Sequence, residues 1–593
     1  MSQGRRIWHL LPAPDPLAIR RLAREAQISE VVAHLLWQRG IRQAAEARQF
    51  LYGRLTDLLP PDHLYGVMEA AQRIVSAIRE RRKICIYGDY DVDGVTGTAI
   101  LVRLLQHFQA PVEYHIPMRL SEGYGLNAER LRELHQRGVQ VVVTVDCGIA
   151  SIAEAELAQK LGIELIITDH HQWKVDQAGT PLFPSAAVVV HPAWPEGHYP
   201  SGELSGAGVA FKLAWAIAQI FCGSSQGSLP ADVRDILLEG VGLVALGMVA
   251  DAVPLRGENR IFVRHGLRRI AQQPSLGLRA LMEVAQLQVN EKLTAEDVGY
   301  RLAPRLNAAG RLGCARMVVE LLTTQSYTTA KTHAQFLEKQ NSQRQLLERQ
   351  ATQQAIEWVE KHYPHDAVIV VADPQWHPGV VGIVASRLVE RYGKPAIVIA
   401  IREGETLAVG SGRSVPELPL HEALRVCESL LDSYGGHAAA AGLKILPERI
   451  EAFRTAINHY VANRLPQRTL PCLVLDAEVP LAAITPSLLK ELDDLEPYGA
   501  DNPKPQFLAT GVTLEQVRRM GQGEPPRHLE LRVSQGGQRF RCVGWNMAER
   551  YEELQSASQV CLAFTPSENT FQGRSRIELR LLDVQPGAEP RLG

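Results

Sequence analysis

The sequence predicts an α/β protein with two α/β domains, each with a mostly parallel sheet, joined by a long helix and followed by a C-terminal all-β, OB-like domain. Two patterns favour this fold class. In two separate regions, short apolar runs rich in β-branched residues alternate with segments of helical period, which is typical of doubly wound sheets covered on both faces. From residue 463 onward, short strands follow one another instead, as in a barrel or sandwich.

The elements follow in chain order. Residues 1–80 hold short helical patterns and predict a helical lead-in. Residues 81–325 predict the first α/β domain, with strands in KICIYGD, VQVVVTVDCG, ELIITDHH and AAVVVHP. Residues 326–362 contain a stretch without Gly or Pro that predicts one long connecting helix. Residues 363–462 predict the second α/β domain, and residues 463–593 the OB-like domain.

Composition narrows the class of protein. The 593 residues are 46% hydrophobic and 22% charged, which is ordinary for a globular protein. A net charge of −2 gives no global attraction for nucleic acid, so such binding would depend on local patches. The eight cysteines form no CxxC pair, which argues against a zinc ribbon and a disulfide scaffold. With no apolar signal core or membrane-length apolar run, we expect a cytoplasmic protein without a membrane partner.

Polar residues follow three predicted strands of the first α/β domain, at the point where each strand ends. They are Asp89, Asp91 and Asp93 after the first strand, Asp146 after the second, and Asp169, His170 and His171 after the third. The carboxyl ends of parallel strands meet along one crevice, where ligands bind. We therefore expect these three clusters to converge.

Each cluster also has a structural interpretation. DYDVDG fits an Asp-rich turn, Asp146 could cap the following helix, and an HH pair is often a surface feature. None of these explains why all three clusters end strands of one sheet. Asp251, at the end of the apolar run GVGLVALGMVAD, is a further candidate, although a lone Asp in this position is more often a helix or turn cap.

The chemistry of the converging residues favours metal binding. Several carboxylates in one crevice repel each other unless cations lie among them, and mixed carboxylate and imidazole ligands suit Mn²⁺ better than Mg²⁺ or Ca²⁺. The ligands suffice for two ions, and a pair about 3.5–4 Å apart can clamp both oxygens of a phosphoryl transfer. In an ideal strand the imidazoles of His170 and His171 would face opposite ways. Either one binds metal while the other meets substrate, or the strand has already ended.

The motifs DYDVDG, VDCG, DHH (169–171) and VAD (249–251) resemble those of the DHH phosphoesterase superfamily. Further motifs are similar to its RecJ branch, which has an additional DHHA1-type domain: PRLNAAGR (304–311), GSGRS (410–414), GGHAAAAG (435–442) and LEPYGADNPKPQF (495–507). The resemblance implies a single-strand-specific exonuclease that degrades DNA 5′→3′ to mononucleotides. It also implies two-metal hydrolysis with Mn²⁺ preferred and Mg²⁺ possible, in DNA repair and recombination.

Residue by residue, the resemblance implies three groups of roles. The metal ligands would be Asp91, Asp93, Asp146, His170 and Asp251, with His171 at the scissile phosphate and Asp89 an auxiliary carboxylate. The substrate-binding residues would be Arg305, Asn307, Arg311, Ser411, Arg413 and His437. Without the resemblance, GGHAAAAG fits a helix start and GSGRS a polar loop. The resemblance implies glycine at the position of Asp501, so a contact there would be altered.

The expected substrate is single-stranded DNA with a free 5′ end, held between the two α/β domains. The barrel would extend the track with basic and aromatic residues. Candidates are Arg518, Arg519, Arg527, Arg532, Arg539, Phe540, Arg541 and Trp545. Expected partners are a single-strand-binding protein or a helicase, and the chain is expected to be monomeric. The alternatives are a phosphodiesterase of short oligonucleotides or cyclic dinucleotides, a pyrophosphatase, and a DHH replication scaffold without catalysis.

Overall fold

The structure, a computed structural model, shows a chain that folds as two compact units. It describes residues 6–118, 122–176, 178–200, 202–224, 228–462, 464, 472–521, 525–571 and 574–592. The first unit comprises Met1–Gly310, Cys314–Ala334 and Cys472–Gly593, and the second comprises Arg311–Gly313 and Gln335–Pro471. No helix in the described part of the chain has the length and apolar character needed to cross a bilayer.

The N-terminal segment is not purely helical. It contains β1 (Ile7–Leu10), α1 (Pro16–Ala26), α2 (Glu30–Gln38) and α3 (Ala44–Tyr52). Strand β1 pairs in parallel with β14 (Cys472–Leu475), which lies at the start of the C-terminal domain. The three helices contribute Leu22, Leu35 and Leu51 to an apolar core that also contains Phe507 and Leu562 of the barrel. This segment therefore packs with the last domain of the chain.

The first α/β domain has a five-stranded sheet in which every pairing is parallel, in the order β3-β2-β4-β5-β8. Its strands are β2 (Ile84–Gly88), β3 (Val112–His115), β4 (Val141–Val145), β5 (Glu164–Thr168) and β8 (Val188–Val190), with a small hairpin of β6 (Lys174–Val175) and β7 (Pro181–Leu182). Strands β2 and β4 are buried along their whole length, which explains their near-continuous apolar sequence. The partly buried β3 has no such run and was not predicted from the sequence.

Helices cover this sheet and extend beyond it. They are α4 (Val67–Arg79), α5 (Val92–His107), α6 (Ala128–Gln136), α7 (Ile152–Lys160), α8 (Gly206–Phe221), α9 (Ala231–Ala250), α10 (Gly257–Gln272), α11 (Leu276–Val284), α12 (Ala295–Asp297), α13 (Ala303–Arg311) and α14 (Arg316–Thr323). A π-helical turn, Val298–Leu302, joins α12 to α13. The predicted long helix is present as α15 (Tyr327–His362).

The second α/β domain has a mixed sheet. Its elements are β9 (Ile369–Asp373), α16 (Val381–Tyr392), β10 (Ala396–Ala400), β11 (Ala408–Arg413), α17 (Leu420–Val426), β12 (Ser433–Gly436), β13 (Ala440–Ile445) and α18 (Ile450–Ala462). The strand order is β12-β13-β11-β10-β9, and only the β9–β10 pairing is parallel. The connections β10–β11 and β12–β13 are hairpins, so they produce antiparallel pairs where a mostly parallel sheet was predicted.

The C-terminal domain is a closed five-stranded barrel, as the OB-like prediction requires. Its elements are β14, β15 (Ala477–Glu478), α19 (Pro486–Asp494), β16 (Phe507–Met520), β17 (His528–Gln535), β18 (Gln538–Gly544), α20 (Tyr551–Leu554), β19 (Gln559–Phe571) and β20 (Arg574–Pro586). Five strands follow the order β16-β17-β18-β20-β19, and pairing of β19 with β16 closes the barrel. This is the strand order of an OB fold.

Candidate metal centre

Four chain segments meet at the carboxyl end of the first sheet. The three predicted clusters follow β2, β4 and β5, and Asp251 follows α9. The structure thus brings seven of the predicted site residues together in one crevice: Asp89, Asp91, Asp93, Asp146, His170, His171 and Asp251. Their convergence follows from the parallel order of the sheet, because adjacent strands β2, β4 and β5 end at the same edge.

The first cluster lies where one helix begins and meets the start of another. Asp91 is the N-cap of α5, and its Oδ1 accepts a hydrogen bond of 3.0 Å from the Gly94 N–H. Asp93 is buried, and its carboxylate accepts hydrogen bonds from the N–H groups of Gly206 (2.5 Å) and Ala207 (3.1 Å) at the start of α8. The positive end of the α8 dipole therefore fixes this carboxylate in place.

Glycine allows the helices to approach these carboxylates closely. A Cβ atom on Gly206 would lie 2.6 Å from Cβ of Asp146, and one on Gly247 would collide with Oδ1 of Asp93. Neither glycine has a positive φ, so the requirement is for space rather than for backbone freedom. The glycine in the apolar run of α9 is what allows this helix to pack so closely against Asp93.

Asp146 occupies a strained turn directly after β4. Its φ is 64°, in the left-handed region that Asp tolerates better than most residues. The Asp146 N–H donates to the Thr168 carbonyl at 3.0 Å, and the Asp146 carbonyl accepts a hydrogen bond of 3.2 Å from the Tyr124 hydroxyl. These bonds hold the turn in place, and Oδ1 of Asp146 lies 3.0 Å from Nε2 of His170.

The two histidines have different environments. Nε2 of His170 lies 3.6 Å from Asp251 Oδ2 and 3.8 Å from Asp93 Oδ2. Nδ1 of His171 lies 2.8 Å from Oδ1 of Asp169, and that carboxylate also accepts the backbone N–H groups of both histidines. Strand β5 ends at Thr168, so the strict alternation of an ideal strand does not apply to the pair.

Burial and mutual repulsion shift the pKa values of the carboxylates upward. Burial raises the pKa of Asp93 to about 8, and the charges of Asp251 and Asp91 add to the effect. Burial and the charge of Asp91 raise the pKa of Asp251 to about 6. The pKa of Asp146 is raised well above its usual value by burial and by the charge of Asp93. A cation among these groups would relieve this repulsion.

The histidines and Asp169 shift in ways that match their contacts. Burial lowers the pKa of His170 to about 4, so its imidazole is neutral and able to bind metal at neutral pH. Burial alone would lower the pKa of His171, but the hydrogen bond to Asp169 raises it to about 9. Burial would likewise raise the pKa of Asp169, but the contacts with His171 bring it to about 2.

The donor set fits divalent metal ions. Two groups of three residues share no member, and within each group the potential ligand atoms lie within 4.8 Å of one another: Asp93, His170 and Asp251, and Asp89, Asp91 and Asp146. Oδ1 of Asp146 and Nε2 of His170 are buried and make no hydrogen bond within the described residues. Buried polar atoms without a hydrogen bond are costly in a protein alone, but metal ligands need such free lone pairs.

Comparison with known proteins gives a consistent result over the length of the chain. Family models match in three places: the DHH family N-terminal domain at residues 83–241, the DHHA1 domain at 365–463 and the RecJ OB domain at 475–583. The single-stranded-DNA-specific exonuclease RecJ of Bacillus subtilis (strain 168) is 38% identical over 572 residues, which cover 96% of this chain and 70% of that protein. The chain belongs to the RecJ family.

Solved structures agree with this assignment. A crystal structure of RecJ in complex with Mn²⁺ from Thermus thermophilus matches with a TM-score of 0.82 at 35% identity, over 99% of this chain and 80% of that chain. The Mg²⁺ complex from the same organism gives a TM-score of 0.77 at 33% identity, over 99% and 79% of the two chains. The Asp and His groups of the present crevice are accordingly placed to bind Mn²⁺ or Mg²⁺.

Two residues at this centre, Asp169 and Tyr124, were assigned no individual role from the sequence, although Asp169 belongs to the third polar cluster. Asp169 anchors both histidines of the DHH triplet and accepts the Ile149 N–H at 2.9 Å. The Tyr124 hydroxyl lies 3.0 Å from Nδ1 of His171. The sequence signal for Asp169 was its place as the first residue of the DHH triplet. Tyr124 lies in the irregular, Gly-containing segment EGYGLN (122–127), whose sequence pattern predicts no contact.

In PRLNAAGR, the structure shows contacts within the protein. Oδ1 of Asn307 accepts the Val92 N–H at 3.2 Å, at the first residue of α5. Arg305 donates to the carbonyl of Arg301, which lies in the π-helical turn before α13. Asn307 therefore supports the start of the helix that carries Asp93. The substrate contacts predicted for Arg305 and Asn307 stay predictions.

The predicted residues of the second unit surround the start of α16. Arg413 Nη1 donates to Ser411 Oγ at 3.1 Å, and the position of a Cβ on Gly382 is 3.0 Å from that oxygen and 3.2 Å from Arg413 Nη2. Arg311 donates to the carbonyl of Gly379 at 3.3 Å, just before α16. Among the residues that the structure describes, no side chain caps the start of α16 at Val380. Guanidinium groups beside an uncapped helix N-terminus form a cationic surface.

GGHAAAAG forms a hairpin rather than the start of a helix. Gly435 and Gly436 end β12, and β13 begins at Ala440. His437 is exposed in the turn between them, where its N–H donates to the Ala440 carbonyl at 2.8 Å. Since Ala440 is paired with Arg413 across β11 and β13, the histidine lies near the same cationic surface.

The arginines predicted on the barrel divide into two groups. Four form ion pairs: Arg518 with Glu530, Arg519 with Glu552, Arg539 with Glu515, and Arg541 with Glu530 and Glu578. Arg527 and Arg532 are exposed and form no ion pair within the described part of the chain. Phe540 and Arg532 line a groove of about 1420 Å³, together with Arg576. Trp545 is half exposed and packs edge-on against His528.

Proposed function

We propose that the chain hydrolyses single-stranded DNA from a free 5′ end and releases mononucleotides 5′→3′, using two divalent ions with Mn²⁺ preferred and Mg²⁺ possible. The observation that carries this proposal is the pair of separate ligand groups in one crevice, Asp93, His170 and Asp251 beside Asp89, Asp91 and Asp146. The relatives named above are single-stranded-DNA-specific exonucleases. When bound, the two ions would lower the pKa of the attacking water and neutralise charge on the phosphate.

The side chains have distinct roles in this proposal. Asp93 is held at the start of α8 and Asp91 at the start of α5, so neither carboxylate needs to reorganise to receive an ion. Asp89 lies with Asp91 and Asp146 in one ligand group, which supports direct participation in metal binding rather than an auxiliary role. Pre-positioned ligands reduce the cost of binding hard cations in a fixed geometry.

His171 is oriented toward substrate in the same scheme. Its Nδ1 is engaged with Asp169 and the Tyr124 hydroxyl, while its Nε2 has no hydrogen bond within the described residues. The side chain is 39% exposed, compared with 14% for His170. An exposed imidazole fixed at one nitrogen can donate from the other to a phosphate oxygen as charge develops there. We assign this contact to His171 and metal binding to His170.

The second unit supplies side chains and a helix start that can bind the 5′ end of the DNA. Ser411, Arg413, Arg311 and the uncapped start of α16 can bind a terminal phosphate, because guanidinium groups and helix N–H groups both favour an oxyanion. His437 extends this surface from the β12–β13 turn. The barrel would hold the strand further along. Cytoplasmic location, action as a monomer in DNA repair and recombination, and cooperation with a single-strand-binding protein or a helicase belong to the same proposal.

The test is product analysis on single-stranded DNA labelled at either the 5′ or the 3′ end, with the metal-free chain and then with added Mn²⁺ or Ca²⁺. We expect the 5′ label to appear at once as a mononucleotide with Mn²⁺, and the 3′-labelled strand to shorten progressively. Ca²⁺ should give much slower hydrolysis, because it prefers a larger, all-oxygen ligand shell. Release of mononucleotides first from the 3′ end, or internal cleavage, would contradict the proposed polarity. Equal rates with Ca²⁺ would contradict the two-metal scheme, and a blunt duplex of the same sequence is the control for strand specificity.

A further inference from the structure

The metal ligand Asp251 lies at a helix end that its local sequence does not fully specify. Asp251 is the C-cap of α9, and the next residue, Ala252, has a left-handed φ of 56°. The Val253 N–H donates to the Met248 carbonyl at 3.3 Å, which completes a Schellman-type end. Glycine is usual at the left-handed position, and another residue there costs about 1 kcal/mol. Contacts further along must therefore help to hold this turn.

Those contacts come from the C-terminal domain. The Leu255 N–H, four residues after Asp251, donates to the Ala500 carbonyl at 2.9 Å. Leu255 is 2% exposed, and a Cβ on Gly499 would lie 2.7 Å from its Cδ1. Nε of Arg256 lies 3.3 Å from Oδ2 of Asp501. The turn after Asp251 is thus docked on residues 499–501.

The supporting loop, residues 498–503, is itself held firmly. Asn502 is fully buried, and its amide nitrogen donates to the carbonyls of Leu495 and Pro497, each at 2.8 Å. Its Oδ1 accepts a hydrogen bond of 2.7 Å from Nε of Arg39. The buried Arg260 donates to the Glu496 carbonyl at 2.8 Å. The loop is thus held by Arg39 at the end of α2 and by the backbone that precedes it, and Arg260 of α10 holds that backbone at Glu496. It offers a fixed support to the turn after Asp251.

Asp501 adds a contact that glycine at this position cannot make. Its φ is 58°, a conformation that glycine adopts freely and that aspartate adopts at some cost. Aspartate is among the better non-glycine residues in the left-handed region, so it can stand where the resemblance implies glycine. In return the carboxylate reaches Arg256, five residues after the metal ligand.

We propose that the loop at residues 498–503 positions Asp251 for metal binding, with Gly499 and Asp501 as positioning residues that act through Leu255 and Arg256. The inference rests on the proposed function, in which Asp251 shares an ion with Asp93 and His170. Besides contacting DNA, the C-terminal domain would then maintain the geometry of one metal site in the catalytic domain. The second ligand group, Asp89, Asp91 and Asp146, has no such dependence because it lies at strand ends β2 and β4.

The test is calorimetric titration of Mn²⁺ into the full-length, chelator-treated chain, without DNA. Asp251→Asn is the reference variant and should weaken one of two binding events. Gly499→Ala places a methyl group against the Leu255 side chain and should displace it. Asp501→Asn removes the ion pair with Arg256 but keeps a residue suited to positive φ. Each should weaken that same event by about three- to tenfold, less than the 10–100-fold typical when a ligand's hydrogen-bond partner is lost. Combining Gly499→Ala with Leu255→Val, which relieves the collision, should restore binding.

Lys292→Gln provides the matched control. Lys292 forms ion pairs with Asp493 (3.1 Å) and Glu496 (3.0 Å), joins the same two domains, and is 55% exposed, close to the 59% of Arg256. It should leave both Mn²⁺ events unchanged. The inference is overturned if the loop variants leave both events at wild-type affinity, or if they weaken both equally while lowering the melting temperature. If Asp251→Asn itself leaves both events intact, the metal-site assignment fails instead, so the two failures are distinguishable.

Discussion

Nε2 of His170 lies 3.0 Å from Oδ1 of Asp146, yet the two buried atoms share no hydrogen bond. The residues come from the ends of two adjacent parallel strands, β5 and β4, and each is fixed by its own backbone contacts. An arrangement that keeps two atoms with free lone pairs so close without pairing them suits metal binding at both atoms. The charge of Asp146 should therefore be needed for metal binding.

Asp146→Asn should remove hydrolysis while preserving the fold. Asparagine tolerates the left-handed φ of 64° and keeps the side-chain volume, but it loses the charge that an ion requires. We expect the turnover rate on single-stranded DNA to fall by more than about 100-fold, since losing only a hydrogen-bond partner of a metal ligand costs about 10–100-fold. Rate measurements are paired with the rise in melting temperature caused by Mn²⁺, which should shrink. Asp176→Asn, at an exposed carboxylate of the same domain, is the control; normal turnover in Asp146→Asn would remove this residue from the centre.

Asp169→Asn tests the anchoring of His171. The carboxylate Oδ1 accepts three donors, from the backbone of both histidines and from Nδ1 of His171, while Oδ2 accepts the Ile149 N–H. An amide cannot accept at both positions, so one donor is left unpaired and the imidazole loses its charged partner. We expect the single-turnover rate to fall by about 10–100-fold.

The comparison variant for this prediction is Tyr124→Phe. It removes a hydroxyl that lies 3.0 Å from the same ring nitrogen but leaves Asp169 in place, so its effect on the single-turnover rate should be smaller. A wild-type rate in Asp169→Asn would show that His171 needs no fixed orientation.

Arg413→Gln should impair recognition of the 5′ end. The guanidinium lies beside Ser411 at the start of α16, and a charge-assisted hydrogen bond to phosphate is worth about 1.5–3 kcal/mol. We expect KM for 5′-phosphorylated single strands to rise by roughly 10- to 100-fold, with a smaller change in kcat. Arg402→Gln, which breaks a surface ion pair with Glu405 in the same domain, should leave both constants unchanged. Equal KM values for Arg413→Gln and wild type would place the 5′ end elsewhere.

The sequence predicted most of the first α/β domain because its buried parallel strands have continuous apolar sequences. The residues after these strands lie at one edge of the sheet because the strands are parallel. Asp251 could not be placed in this way. It follows a helix, and its approach to His170 depends on the packing of α9 through Gly247. The hydrophobic pattern of a segment does not indicate which other segment packs against it. The resemblance to the RecJ family supplied that information.

The second sheet shows a different limit. The runs HDAVIVVADP and PAIVIAI predicted the strands β9 and β10 and their parallel pairing. The run TLAVGSGRS also predicted a strand, β11, but this strand turns back antiparallel to β10. The strands β12 and β13 were missed, because GGHAAAAG offers neither a period of two nor bulky β-branched residues. The exposed β12 has no buried face to reveal its pairing in the sequence. Gly and Ala have low strand propensity, so this segment resembles a loop or a helix start in the sequence.

Arg532→Gln and Arg576→Gln test the role of the barrel. Both residues line the groove beside Phe540, and within the described residues neither forms an ion pair, so their charges are available to phosphates. Each replacement should weaken binding of long single strands. The negative slope of log K against log salt should become less steep by about 0.7, the value expected for one phosphate contact on single-stranded DNA.

Arg519→Gln is the matched control, because Arg519 is engaged with Glu552 and stacks over Tyr551 outside that groove. Fluorescence anisotropy across a salt series measures the slopes. If Arg519→Gln changed the slope as much as the groove variants, the barrel would attract DNA by its general charge, and the groove would have no specific part in holding the strand.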